Sequence, residues 1–521
     1  FCCLFVCFLS RKMASIGNWA DICEQELGDL NIKENPPKEE ESTPKESTPN
    51  EEASSTPEPK EKEEEPNNGK EETAKTNLLD EFEKLNKAVH ADVTAAVEHD
   101  PRNPPAKEPK EIESFYDLKD IKPALFQTIV TSGFDRPSPV QARALPIAFS
   151  GRNLVAQAPS GTGKTITFTL SLLQNIDETK NYPQAVVISP TLDLAHAIHR
   201  VVSVYADALG MKTQLVIKEM TSLKYKNAQV IVGTPGKLTS CFRRAGPMFI
   251  DPSRISVFVL DEADKMLQSN GLGNETRRVL ACCKNIKQFI LCSATFQKSV
   301  LDFAIGPNKG IIKGPWSMVK IVPRGSGKCA IPKTIRHFFF MLKDGGRENK
   351  IEALLTLYSV ITVGQSFVFT NTKAAVKEIS NRMNKEGMHS VALSGELTME
   401  QRMEMFRQFH ALEKRICVST NVGSRGLDIT GCTTVINFDI PYEDVGQTIP
   451  DVPTYVHRAG RSGRYGRNGI CVTIVTSRKE YEDMKKIFDS CVSTDGVEIQ
   501  WDEWSLEGIE EMEEQVARLA E

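Results

Sequence analysis

From residue 115 onward, short runs rich in Val and Ile alternate with longer stretches of helical periodicity, and this alternation restricts the possible folds more than any other feature. LVAQ (154–157), VVIS (186–189), VIVG (230–233), VFVLDE (257–262) and FILCSAT (289–295) make one series. FVFTNT (367–372), ICVST (416–420), VINF (435–438) and CVTIV (471–475) make another. A strand that is apolar along its whole length must be covered on both faces, as in the parallel sheet of an α/β domain. The Gly- and Pro-rich stretch from Gly306 to Thr334 interrupts the alternation. The sequence therefore predicts two tandem α/β domains, 115–320 and 335–521, with a linker over 321–334. A chain of 521 residues is in any case too long for one ordinary core.

The segment upstream has a different composition. Glu34 to Lys75 is almost entirely Pro, Glu, Lys, Ser and Thr, and such a stretch cannot bury enough apolar surface to offset its ordering entropy. Residues 1–76 are expected to form a disordered acidic extension. Leu78, Leu79, Phe82, Leu85, Val89 and Val93 then recur at three- and four-residue steps, predicting an amphipathic helix from Leu78 to Val97. A Pro-rich tether with Pro101, Pro104 and Pro105 follows, so that 77–114 reads as a regulatory helix and its tether. The helix's apolar stripe needs a surface: docked between the domains it is autoinhibitory, and docked outside the first domain it is ordinary packing. The apolar residues Phe1 to Leu9 precede Arg11 and Lys12, the reverse of a secretory signal, and Met13 is the expected initiator. No apolar run approaches the roughly 20 residues of a membrane span. Thirteen cysteines without a CxxC indicate neither a zinc site nor a disulfide scaffold.

Two motifs carry chemistry. APSGTGKT (158–165) follows a strand and precedes a helical run, the context a phosphate-binding loop requires. Gly161 and Gly163 let backbone amides turn toward phosphates, Lys164 supplies a point charge, and Thr165 offers a hydroxyl to Mg²⁺. A glycine turn with an exposed lysine is the bland alternative. In VLDEAD, four apolar residues lead into Asp261, so the carboxylates emerge at a strand's carboxyl end, where α/β ligands bind. Asp261 is placed to hold Mg²⁺ through water and Glu262 to orient and deprotonate an attacking water. Alone, this motif is equally an acidic loop; beside Lys164 the catalytic reading prevails.

With GFDRPSPVQ, APSGTGKT, PTLDLA, TPGK, DEAD, SAT, FVFTNT, TNVGSRGLD and HRAGRSGR in this order, the chain from Phe115 onward resembles the DEAD-box RNA helicases. The resemblance implies two RecA-like domains closing over ATP and single-stranded RNA. It implies that Phe115, with Tyr116 as substitute, stacks on adenine and that Gln141 reads the adenine edge. Ser160, Gly161, Thr162, Gly163, Lys164 and Thr165 then cradle phosphates, with Mg²⁺ at Thr165 and Asp261. Asp428 contacts the ribose, and Arg461 and Arg464 act as arginine fingers. Asp264, Ser293, Thr295 and His457 couple the nucleotide to closure.

The RNA contacts implied are Pro190, Thr191, Thr234, Pro235, Gly236, Thr372, Arg402, Thr420 and Arg425. The chain departs from the pattern at Ala158, Leu192 and Asp193, and it lacks the glycine pair expected around Lys218 to Thr221. ITVGQSFVF, the long connection from Pro441 to His457 and HDPRNPP resemble the mRNA-export branch at the cytoplasmic face of the nuclear pore. That branch implies an mRNA-protein substrate, a pore-filament nucleoporin and an export activator carrying inositol hexakisphosphate. A monomer without membrane attachment is expected, in the cytoplasm and at the nuclear envelope. A translation-initiation-type helicase and a slow ATP-gated RNA clamp are the competing readings.

Overall fold

The computed structural model describes residues 94–134, 136–243, 246–268, 272–307, 310–322, 328–342, 346–360, 364–421, 432–444, 446–463, 468–493 and 497–504. The extension 1–76 and residues 77–93 of the expected helical segment lie outside them. Among the described residues, no helix is long and apolar enough to cross a membrane.

The first sheet contains β1 (Thr94–His99), β2 (Asn153–Gln157), β3 (Ala185–Ile188), β4 (Thr213–Val216), β5 (Val230–Gly233), β6 (Val257–Asp261), β7 (Gln288–Ser293) and β8 (Trp316–Val322). Their order is β1-β8-β2-β7-β6-β3-β5-β4. All pairs are parallel except β1 on β8. The helices that carry the site here are α1 (Pro139–Phe149), α2 (Lys164–Gln174), α3 (Leu192–Ala208), α4 (Pro235–Arg243), the short α5 (Ala263–Met266) and α6 (Lys298–Ile305). Strands β3, β5, β6 and β7 are buried from end to end, the covering on both faces that continuous apolar runs demand.

In the second half, β9 (Cys329–Ile331) pairs with β16 (Cys491–Ser493) as a small two-stranded sheet. The main sheet contains β10 (Ile335–Met341), β11 (Gln365–Phe369), β12 (Ser390–Leu393), β13 (Ile416–Ser419), β14 (Cys432–Asn437), β15 (Gly469–Val475) and β17 (Trp501–Glu503). It runs β12-β13-β11-β14-β15-β10-β17, with every pair parallel. Its site-bearing helices are α7 (Lys373–Lys385), α8 (Met399–His410) and α9 (Val452–Ala459). Successive residues alternate between two cores: Ile335, Phe339, Phe367 and Phe369 enter one, Phe338, Phe340 and Val368 the other.

Two expectations need correction. The helix expected to run to Val97 does not reach that far, because Thr94–His99 is a strand whose six residues all pair with β8. Burial there alternates, with Ala95, Val97 and His99 half-buried and Ala96 and Glu98 exposed, the period of a strand with one covered face. The apolar marks at helical spacing end at Val93, and beyond them pairing to an open sheet edge prevails. Residues 94–99 therefore belong to the first sheet rather than to a tether. The linker assigned to 321–334 is also partly structured: Ile321 and Val322 finish β8, and Cys329–Ile331 forms β9 on the second half.

His337, at the centre of β10, is almost fully enclosed; its Nδ1 lies 2.9 Å from the Tyr455 hydroxyl and its ring meets Phe488 edge-on. Burial lowers its pKa to about 3. A His held neutral contributes stability that is complete above its unfolded pKa near 6.5 and lost as pH falls toward 3. Unfolding by urea should therefore become easier below pH 6.5, by up to roughly 1.4 kcal/mol per pH unit from this group. His337→Leu should flatten that part of the slope; an unaltered pH profile contradicts the assignment.

Candidate nucleotide and RNA site

The phosphate-binding loop leaves β2 and enters α2. Gly161 has φ 80° and Gly163 φ 94°, left-handed conformations that open the turn. Gly163 also lies close to α1: a Cβ there would be 2.6 Å from Gln141 Nε2, so that side chain would have to shift. That close approach is a clasp between α1 and the loop. Ser138 Oγ donates to the Thr162 carbonyl at 2.6 Å, Gln141 Oε1 accepts from Ser138 N at 2.8 Å, and Gln141 Nε2 donates to the Gly163 carbonyl at 3.4 Å. Thr162 Oγ1 donates to the Pro159 carbonyl, and Lys164 Nζ donates to the carbonyls of Ala158 at 2.6 Å and Pro159 at 3.0 Å. Thr165 stands in the first turn of α2.

Asp261 ends β6, two strands from β2 in the sheet, so the carboxylates and the loop share one sheet end. Burial and the neighbouring Glu262 charge raise the pKa of Asp261, and Lys164 opposes them. Glu262 is in the left-handed region at φ 52°, an uncommon place for a side chain of its type and a mark of local backbone strain. Asp264 is nearly inaccessible and accepts from Ser293 Oγ at 2.8 Å and Thr295 Oγ1 at 3.1 Å. The second half reaches the same point: His457 Nε2 lies 3.3 Å from Glu262 Oε2 and 3.8 Å from Asp264 Oδ2. A Cβ on Gly460 would sit 3.8 Å from the Ser160 Cβ, which brings the turn bearing Arg461 against the phosphate loop. Arg461 is buried, with Nε donating to the His457 carbonyl at 3.2 Å.

Pro190, Thr191, Thr234, Pro235, Gly236 and Thr372 stand where a strand gives way to a helix. Pro190 and Thr191 follow β3, and Thr191 caps α3 by accepting from Leu194 N. Thr234, Pro235 and Gly236 lie between β5 and the first turn of α4. Thr372 caps α7, accepting from Ala375 N, and Thr420 follows β13. Helix N-termini at which amides point outward suit a phosphate backbone. Arg425, Asp428 and Arg464 lie outside the described residues.

The structure corrects two assignments. Phe115 is 1% exposed and packs edge-on against Phe134, so it presents no face to adenine; Tyr116, at 67%, is the aromatic that faces solvent. The cause is local: Ser114 and Asp117 form a capping box around a single 3-10 turn that directs Phe115 inward. Arg402 is not presented to RNA either. Its Nη1 donates to Asp193 Oδ2 at 2.5 Å across the two halves and its Nη2 to the Ser394 carbonyl at 3.1 Å, with both charged groups buried.

Arg458 was missing from the sequence reading. It is fully buried, and burial lowers its pKa to about 10. It donates to Asn421 Oδ1, Asn371 Oδ1, Asn437 Oδ1 and the Asp439 carbonyl over 2.6–3.2 Å. This one side chain ties α9 to the ends of three strands. The only trace of it in the sequence is its place inside HRAGRSGR, where two other arginines drew the functional assignment.

With this geometry in hand, comparison with known proteins identifies its relatives. Residues 138–303 match the DEAD/DEAH box helicase family, and 349–466 match the helicase conserved C-terminal domain. The chain is similar to mouse "ATP-dependent RNA helicase DDX19A", 33% identical over 425 residues that cover 80% of this chain and 84% of the relative. It is similar in structure to Saccharomyces cerevisiae Dbp5 bound to RNA and ADP BeF3, with TM-score 0.69 and 30% identity over 79% of this chain and 100% of that one. A Dbp5 variant bound to a Gle1 variant and IP6 matches with TM-score 0.60, again at 30% identity, over 79% of this chain and 99% of that one.

The clasp between α1 and the loop yields a prediction. Gly163→Ala must displace Gln141 and strain the left-handed turn, so affinity for a fluorescent ATP analogue should fall about tenfold, equivalent to about 1.4 kcal/mol. Unchanged affinity would show that the loop does not depend on this close approach.

Proposed function

Because the chain belongs to the DEAD-box family of ATP-dependent RNA helicases, we propose that its two RecA-like halves hydrolyse ATP only when closed around single-stranded RNA, and that it remodels mRNA-protein complexes during mRNA export. One observation carries the first part: Glu262 and Asp264 of one half and His457 of the other converge beside the phosphate loop. Groups from both halves are then needed to complete a single site.

In this reading the amides of Ser160 to Thr165 hold the phosphates, and Lys164 exchanges its contacts to the Ala158 and Pro159 carbonyls for the β/γ-phosphate oxygens. The carboxylate cluster fits a divalent cation, because the Asp261 charge is disfavoured by burial and by Glu262. Thr165 and Asp261 would hold Mg²⁺, which when bound neutralises charge on the phosphates. Glu262 orients the attacking water and accepts its proton. Arg461, and Arg464 beyond the described residues, stabilise charge on the transferring phosphoryl. Tyr116 replaces Phe115 as the adenine platform, with Gln141 and Asp428 completing nucleoside recognition. Asp264, Ser293, Thr295 and His457 transmit closure through the bonds already described.

RNA would lie across Pro190, Thr191, Thr234, Pro235, Gly236, Thr372 and Thr420, with Arg425, gripped by its phosphates and sugars. The similarity to DDX19A and to Dbp5 bound to Gle1 and IP6 supports the export role and an activator carrying inositol hexakisphosphate. A pore-filament nucleoporin and a position at the cytoplasmic face of the nuclear pore belong to the same reading.

Two variants separate the assigned roles. Lys164→Ala should abolish both ATP binding and hydrolysis, whereas Glu262→Gln should bind ATP with near-normal affinity and stop turnover. Equal loss of affinity in both contradicts the assignment. RNA affinity, measured on several unrelated single strands, should vary little with sequence and fall steeply with salt, by about 0.7 log units per log unit of salt for each phosphate contacted. Strong preference for one short sequence argues against a backbone grip.

A further inference from the structure

We infer that Lys265 and Asp451 form an ion-pair latch across the two halves that sets how the second half, through α9, meets the first, and that both are positioning residues for hydrolysis. The inference rests on the reading that the turn after α9 supplies arginine to the γ-phosphate. Lys265 Nζ lies 3.5 Å from Asp451 Oδ2. The Asp451 carboxylate is 5% exposed and the Lys265 side chain 28%, so water screens this pair less than one on the surface.

The two residues occupy unusual places in the chain. Lys265 belongs to α5, the same four-residue helix as Asp264, which Ser293 and Thr295 hold firmly. Asp451 is the N-cap of α9, accepting from Thr454 N at 2.9 Å and Thr454 Oγ1 at 2.6 Å. α9 is packed into its own half through Tyr455, Val456 and Ala459, so a contact at its surface orients the whole half. Charged groups of the first half meet α9 near both of its ends: its cap meets Lys265, and His457, six residues on, meets Glu262 and Asp264. At 1.5 Å per residue these points are about 9 Å apart, which is enough to fix the direction from which the second half meets the first and so the reach of Arg461. Gln297 Nε2 donates to Glu443 Oε1 at 2.9 Å across the same boundary, but this pair is exposed and adds little.

Asp451→Asn retains a capping side chain while removing the charge, since Asn caps as well as Asp. Lys265→Met retains most of the stem. Turnover at saturating ATP and RNA, KM for ATP and Tm would be measured for both variants, their combination and Lys265→Arg. Each charge-deleting variant should lose about five- to tenfold in kcat, with KM within about twofold and Tm little changed, an interaction worth about 1 kcal/mol being about fivefold. The combination should be no slower than the worse single variant, and Lys265→Arg should keep most of the turnover. If the combination instead falls by the product of the single losses, or if Lys265→Met matches wild type, the latch is overturned. Arg461→Ala tests the underlying reading separately: full turnover in that variant removes the arginine role whatever the cycle returns.

Discussion

Asp264 is a carboxylate with almost no access to water, and a charge in that position must be surrounded by donors. Ser293 and Thr295 supply them, and the His457 ring of the second half stands 3.8 Å from the same carboxylate. Much of the site's architecture follows from that requirement. The strand carrying Asp261 and the strand carrying Ser293 must be neighbours, and they are, with Asp261 opposite Cys292 in the ladder. The second half brings α9 to the same sheet end, where His457 stands 3.3 Å from Glu262. The nucleotide loop, two strands from β6, thereby acquires a neighbour across the gap in Gly460.

The parts of the fold most legible in the sequence were those whose burial is complete. VVIS, VIVG and VFVLDE read as strands because each of their side chains is covered, and they are strands β3, β5 and β6. Strands with mixed or interrupted patterns escaped. TQLV became β4 at the end of the sheet, where one side has no neighbouring strand among the described residues, and CAI became β9 in a stretch whose prolines and glycines suggested only a linker. Thr94–His99 escaped for a third reason: a preceding series of apolar residues at helical spacing hid a change of period.

The candidate site divides in the same way. The turn that carries Gly163 and Lys164 is legible because it is local to a loop, whereas the direction of the turn at Phe115 and the distant partner of Arg402 leave no mark in residue type. Phe115 turns inward on the strength of its capping box, and Arg402 finds Asp193, more than two hundred residues away. Arg458 illustrates the opposite error. A guanidinium has five N–H donors in a fixed plane, and three asparagines and a carbonyl from scattered segments accept from it. Nothing in the spacing of Asn371, Asn421 and Asn437 announces that they share one partner.

The antiparallel pairing of β1 with β8 has a mechanical consequence. Thr94 lies opposite Val322, so the start of one strand and the end of the other are at the same end of the ribbon. Tension applied between those two ends loads the hydrogen bonds one after another, as in unzipping, rather than together, as in shear. Such a seam yields at low force and closes again as the tension is released. The strand that borders the first sheet is thus attached in the geometry that peels most easily, beginning at the point where the chain leaves that sheet for the second half.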